Sequence, residues 1–171
     1  RVLEDVGILF LNDDALDVLE AAGCTVDRET KRVRMDRNFV NEMAEKAPAT
    51  FTITPRNPDR EITVGGRQFN FGQVASAPNV MDLDRGRRVG NRADYQDLLR
   101  LSQAYNCIRF NSGYPVEPID IHASIRHLDA HYDMLTLTDK VIHAYSLGPE
   151  RIEDVMELSL IHISEPTRPS R

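Results

Sequence analysis

The chain has 171 residues, 41% of them hydrophobic and 28% charged, with a formal charge of −6 and an isoelectric point near 5.4. That balance belongs to an ordinary folded protein and excludes disorder, while the acidic charge without any clustered Lys/Arg excess excludes nucleic acid and anionic membrane surfaces as partners. No apolar run approaches the roughly 18 residues of a membrane span and no signal-peptide pattern opens the chain, so a cytoplasmic protein is expected.

Cys24 and Cys107 lack CxxC spacing and read as reduced, buried thiols rather than a metal knuckle or redox pair. The first residues run from Arg1 straight into Val2-Leu3 and Val6-Gly7-Ile8-Leu9-Phe10, which reads as a start cut from something longer. At the other end, Leu158-Ser159-Leu160-Ile161-His162-Ile163-Ser164-Glu165-Pro166-Thr167-Arg168 matches the conceptual translation of a sequencing-library adapter. Residues 158–171 are therefore set aside as adapter-derived, His162 is no ligand candidate, and function is read from residues 1–157.

In chain order, Asn12 and Asp13 cap a helix whose apolar positions Ala15, Leu16, Leu19 and Ala22 recur at helical spacing before Gly23 stops it. Residues 24–27 and 31–35 flank the polar turn Arg28-Glu29-Thr30 as a hairpin, and Asp36 caps a second helix burying Phe39, Val40, Met43 and Ala47 ahead of Pro48. Residues 51–54 alternate like a strand, and residues 61–64 and 68–71 are predicted to pair across Gly65-Gly66. Residues 80–83 and the turn 84–87 add another hairpin, after which Asn91 caps a helix with Tyr95, Leu98, Leu99 and Leu101 inward.

From residue 106 the pattern becomes strand (107–112), long helix (119–137), strand (141–145) and a helix after Pro149. The two strands are separated by about one right-handed βαβ span, on the order of 30 residues. The fold class predicted is α/β: an incomplete (β/α)8 TIM barrel preceded by an N-terminal α+β region, since a full barrel takes about 250 residues. Residues 1–105 form the α+β region leading into the barrel, 106–157 the first β/α units, and 158–171 the adapter-derived tail.

GxGxxG, Walker A, HExxH, GxSxG and CxxC are all absent, which removes the usual short-motif routes to nucleotide binding, zinc proteolysis and serine hydrolysis. His127 and His131 sit at i,i+4, but no Glu follows His127 and no third ligand is evident, so the pair reads as part of an exposed polar face with Asp129 and Asp133; no metal is expected. The charged cluster Asp82, Asp84, Arg85, Arg87 and Arg88 reads as a solvated hairpin tip.

Barrel sites are built on the loops after each strand, so Tyr114 and Glu117 after the first strand and His143, Tyr145 and Ser146 after the second stand at the mouth. Tyr114 and Tyr145 can face a quaternary ammonium group by cation–π attraction, about 0.5 to 2 kcal/mol each, and Glu117 adds charge. The alternative is that His143 and Tyr145 fill a barrel layer and the prolines around Glu117 only shape the loop.

Residues 6–157 resemble the trimethylamine methyltransferase family through an ordered series of segments. These include Val6-Gly7-Ile8-Leu9-Phe10, Ala15-Leu16-Asp17-Val18-Leu19-Glu20-Ala21-Ala22-Gly23, Lys46-Ala47-Pro48, Arg56-Asn57-Pro58, Ala77-Pro78-Asn79-Val80-Met81-Asp82-Leu83-Asp84-Arg85-Gly86-Arg87-Arg88 and Thr138-Asp139-Lys140-Val141-Ile142-His143-Ala144-Tyr145. Specificity lies in their order and spacing, and the likeness covers about the first third of a family member. The resemblance implies a barrel enzyme that holds a methylated amine, trimethylamine or a quaternary amine such as glycine betaine, while Co(I) of a separate corrinoid protein attacks the N-methyl carbon. It implies no cofactor bound directly, cobalamin carried by that partner and possible homo-oligomers at full length, and it carries no catalytic residue onto this segment; the fragment itself is expected to be inactive because an open partial barrel leaves an unpaired parallel edge and uncovered apolar faces. The competing reading is a non-catalytic protein that binds a small cationic ligand.

Overall fold

The computed structural model describes residues 1–143 and 147–163, and the chain divides into two compact units, Arg1–Ala49 and Thr50–Arg171. In the first unit, α1 (Val2–Asp5), β1 (Ile8–Leu9), α2 (Asp13–Ala21), β2 (Thr25–Asp27), β3 (Arg32–Arg34) and α3 (Arg37–Glu45) follow one another, and the strands form an antiparallel sheet of order β1-β3-β2. Both predicted caps are in place: Asn12 Oδ1 accepts from the Ala15 N–H at 3.0 Å and Asp36 Oδ1 from the Asn38 N–H at 2.8 Å. Leu16, Cys24 and Val33 make the core, covered by Phe10, Leu19, Val26, Met35 and Phe39. Gly7 is required twice over, at φ +78° and with the Val33 carbonyl 2.5 Å from where a Cβ would sit.

The second unit begins with β4 (Thr50–Ile53), a 3₁₀ turn (Pro58–Arg60), β5 (Ile62–Gly65) and β6 (Phe71–Gly72). β7 (Asn79–Asp82) and β8 (Gly86–Val89) form the predicted hairpin, and α4 (Arg92–Ala104), β9 (Ile108–Asn111), α5 (Arg126–Leu137), β10 (Val141–Ile142) and α6 (Pro149–Ile163) complete it. β10-β9-β6 is a parallel sheet with Val141 opposite Phe110, so the predicted βαβ unit is present and the fold is mixed α/β. The sheet is open, and the described residues form no closed barrel.

Several expectations are corrected. β5 pairs with β4, not with residues 68–71; Phe71–Gly72 instead lies beside β9, where Gly72 leaves room for the Phe110 ring, whose atoms are 2.5 Å and more from a notional Cβ. Residues 119–125 are turns and α5 starts at Arg126, because Asp120 Oδ1 accepts the Arg92 N–H of α4 at 2.8 Å and Arg126 wraps back onto the Ile121 carbonyl. Leu101 is half exposed because α4 buries Tyr95, Leu99 and Ser102, whose spacing turns Leu101 outward. Cys24 is buried as expected, but Cys107, in the turn before β9, is exposed.

The polar face of α5 is the largest reversal. His127, His131 and Asp133 are buried because α5 has a neighbour on each side: Asp133 takes Arg92 and Gln96 of α4, while His127 and His131 reach Asp154 and Ser159 of α6. In the charged turn Arg88 folds back onto α4, pairing with Asp82 and with the buried Asp94, while Leu83, Asp84, Arg85 and Arg87 are exposed as a solvated hairpin tip. The principal core of the unit is Tyr95, Leu99, Tyr114, Val116, Ala130 and Met134, packed between α4, α5 and the loop after β9.

Candidate functional site

Because β6, β9 and β10 are parallel, their C-terminal ends face one way and the chain leaving them gathers there. The segments after β6 and β9 run side by side. Ser112 Oγ donates to the Gln73 carbonyl, the Ser76 N–H donates to the Tyr114 carbonyl at 2.7 Å, and the Glu117 N–H donates to the Ala77 carbonyl at 2.9 Å. Gly90, after β8, lies under this zipper, since a Cβ there would stand 2.8 Å from the Glu117 carbonyl and inside the Val116 side chain. The loop after β9 is thereby set by backbone bonds and by one glycine.

Two cavities open at this end. The larger, about 740 Å³, is lined by Phe69, Phe110, Asn111, Ser112 and His143 together with apolar residues of β4 and β5. Asn111 is fully buried, and the polarity of its neighbours fixes its amide. Gln103 Nε2 donates to Asp139, so its Oε1 accepts from Thr138 Oγ1 at 2.8 Å; Thr138 Oγ1 then faces Asn111 Nδ2 as an acceptor at 3.5 Å. Asn111 Oδ1 is left without a hydrogen-bond partner among the described residues.

The smaller cavity, about 110 Å³, is lined by Tyr114, Glu117, Ala123, Arg126, His127, Leu147 and Arg151. Tyr114 is 7% exposed and meets Tyr95 edge to face, with centroids 5.7 Å apart and planes at 89°. Tyr95 donates its hydroxyl to the Ala130 carbonyl at 2.9 Å, and burial pushes its pKa well above the ordinary phenol value. Glu117 lies 3.7 Å from Arg126. His127 Nε2 is 2.8 Å from Asp154 Oδ2, while its buried Nδ1 has no partner among the described residues.

The structure thus brings Tyr114 and Glu117 together in the small cavity and places His143 in the large one, its N–H donating to the Asn111 carbonyl at 3.0 Å. Tyr145 and Ser146 lie outside the described residues. Asn111, Arg126, His127 and Arg151 went unread as site residues. The i,i+4 histidine pair was the available signal, and the structure sets His127 against the small cavity and His131 against a groove of about 330 Å³. No group of three or more His, Cys, Asp or Glu side chains among the described residues can hold a metal ion, and no helix among them is long and apolar enough to cross a membrane.

The sequence profile of the family described as trimethylamine methyltransferase (MTTB) matches residues 1–165. Glycine betaine methyltransferase of Desulfitobacterium hafniense (strain Y51) is 35% identical over 161 residues, covering 94% of this chain and 33% of the relative. Trimethylamine methyltransferase MttB of Desulfitobacterium hafniense (strain DSM 10664 / DCB-2) is 29% identical over 126 residues, 73% of this chain and 25% of the relative. Proline betaine:corrinoid methyltransferase of Eubacterium limosum is 31% identical over 124 residues, 70% of this chain and 24% of the relative. The chain spans a third or less of the length of these relatives.

Proposed function

The chain belongs to the trimethylamine methyltransferase family, and we propose that the protein carrying it moves a methyl group from a methylated amine to a corrinoid protein. The observation that carries this reading is the family match over residues 1–165, with relatives named for a betaine, for trimethylamine and for a corrinoid acceptor. We also propose that residues 106–157 are the first β/α units of a TIM barrel, with 1–105 leading into it and residues 158–171 adapter-derived. A groove of about 330 Å³ beside β10 supports this: Leu135, Val141, Ile142 and Val155 give it an apolar wall against which a further parallel strand could pack, with Ile53, Arg56 and Lys140 also in its lining.

The corrinoid, carried by the partner, would supply the methyl acceptor. The work of this chain's residues is to bind and orient the amine and keep water from it. Phe110 and His143 would line the approach, Asn111 Oδ1 would offer an acceptor to the electropositive methyl face, and Tyr114, Glu117 and Tyr145 would contribute aromatic and negative surface to the ammonium. A cytoplasmic location fits a reaction with a soluble protein acceptor.

The test is incubation of the full-length protein with its reduced corrinoid partner and candidate amines, following methylation of the cobalt by its absorbance. Amine-dependent methylation is expected. Tight amine binding with no methyl transfer would replace the reading with that of a binding protein.

A further inference from the structure

The β7–β8 hairpin belongs to the C-terminal end of the parallel sheet. The chain leaves β6, runs beside the segment that follows β9, makes the hairpin, and only then returns along α4 to begin β9. Strand register sorts the hairpin's side chains onto two faces. Val80 lies opposite Arg88 on the inner one, where Val80 packs on the core around Tyr95 and Arg88 pairs with Asp94 of α4. Met81 lies opposite Arg87 and Asn79 opposite Val89 on the outer one. That outer face is open: Met81 is 75% exposed, Val89 50%, and Leu83 in the turn is fully exposed. Arg85 is held by Asp82 at 2.8 Å and Arg88 by Asp82 and Asp94, which leaves Arg87 as an exposed cation of the hairpin with no ion pair among the described residues. The turn is also fixed from within, since Asp82 Oδ1 accepts the Asp84 and Arg85 N–H groups at 3.1 and 2.7 Å.

We propose that the outer face of this hairpin, made by Met81, Leu83, Arg87 and Val89, is the docking surface for the corrinoid protein that accepts the methyl group. This rests on the methyl-transfer reading and says where its partner sits. A cobalt atom that takes a methyl group must come within bonding distance of that carbon, so the protein carrying it has to rest on the rim of the mouth, at the end of the sheet where the hairpin stands. The side chains suit such a contact. Methionine and arginine are enriched in the buried centres of protein interfaces, and none of the four is needed to hold the hairpin, because the inner face does that. A strand face fixed in advance by its turn and by Asp94 loses little freedom on binding. Arg87, unpaired in a chain of net charge −6, gives the face a sign of its own and fits an acceptor with carboxylates around its cobalt site.

The full-length protein is immobilised and titrated with its corrinoid protein in the cobalt(II) state, which binds without taking a methyl group. Leu83→Asp should raise the Kd about tenfold, and Met81→Ser should move it the same way. Arg87→Glu should raise it about fivefold at low salt and by less at high salt. Amine-dependent methylation of free cob(I)alamin, an acceptor too small to need the hairpin, should be the same in all three variants as in the parent. A Kd unmoved in both Leu83→Asp and Arg87→Glu overturns the surface. So does methylation of free cob(I)alamin falling as far as that of the corrinoid protein, since the hairpin would then be acting on the amine site. Loss of self-association by light scattering, with the corrinoid-protein Kd unmoved, would also overturn it and make the face a contact between copies of the chain. Binding and transfer separate this surface from the functional reading. Hairpin-dependent binding by a protein that methylates no cobalt would reject the methyltransferase and keep the surface; intact methyl transfer with an unmoved Kd would do the reverse.

Discussion

The burial of Asp133 gives the sharpest test of how the second unit is held together. Its side chain is 4% exposed, Arg92 approaches it with Nε at 2.9 Å and Nη2 at 3.1 Å, and Gln96 adds a third donor at 3.0 Å. Breaking a buried pair by removing one partner typically costs about 3 to 5 kcal/mol, because a charge remains in a low dielectric. Here the cost is smaller, since Arg92 is 34% exposed, water can follow it out, and Gln96 stays. Arg92→Met should therefore destabilise the protein by about 2 kcal/mol. Removing both charges in Arg92→Met/Asp133→Leu should recover most of that, leaving a coupling energy of about 1 kcal/mol or more in the double-mutant cycle. Urea unfolding with an unchanged slope reads both numbers. A loss below about 0.5 kcal/mol in the single variant would mean that the pair is an ordinary solvated one and that α5 does expose this face.

Three further outcomes follow from the packing. Tyr95→Phe should cost about 1 kcal/mol through the lost bond to the Ala130 carbonyl, and Tyr95→Ala about 4 kcal/mol through the cavity beside Tyr114, both measured by chemical denaturation. Gly90→Ala should cost about 1 to 3 kcal/mol and, by displacing Val116 and the Glu117 carbonyl, weaken glycine betaine binding as well; a variant that melts normally and binds normally would show the loop is not fixed from below. Burial holds the His131 imidazole below its ordinary pKa of 6.5, so the folded state favours the neutral ring. Its contribution is complete above pH 6.5 and is lost as pH falls from there toward the lowered value, at up to about 1.4 kcal/mol per pH unit. Asp94 and Asp139 are held below 3.8 by Arg88 and by Asn57 and Gln103, so their loss comes in a separate, more acidic window. His131→Gln should flatten the first phase and leave the second; a denaturation midpoint independent of pH between 7 and 5 in the parent protein would contradict the burial of His131.

What could be read from the chain is what local chemistry decides. Asn12, Asp36 and Asn91 cap the helices they precede because an oxygen two or three residues from an orphan N–H needs no tertiary information. The 80–83 hairpin follows from its own turn, and the βαβ unit from strand and helix spacing. The larger misreadings involve a partner outside the local segment, whereas the outward turn of Leu101 follows from the phase of α4 itself. β5 pairs with β4 rather than with the nearer segment, because Phe71–Gly72 finds β9, some way down the chain, where a glycine accommodates Phe110. The predicted helix over 119–137 loses its first two turns because Asp120 is taken by α4.

The site divides along the same line. Barrel reasoning nominated a mouth of Tyr114, Glu117 and His143, of which the first two line one cavity and the third lines another. It could not supply charge to that mouth, because Arg126, His127 and Arg151 come from the starts of two different helices and converge only when α6 lies against α5. A polar helix face reads as solvent-facing when each residue is weighed against water alone. On α5 the polar residues find partners across two interfaces, Asp133 in Arg92 and His127 in Asp154, so burial costs little where the match is complete. It is incomplete on α5 at His127 Nδ1 and His131 Nδ1, and elsewhere at Gln73 Nε2, Arg88 Nε and Asn111 Oδ1; of these residues His127 and Asn111 line the two cavities beside the C-terminal ends of the parallel strands. At those two residues the missing hydrogen-bond partner is one that a bound molecule would supply.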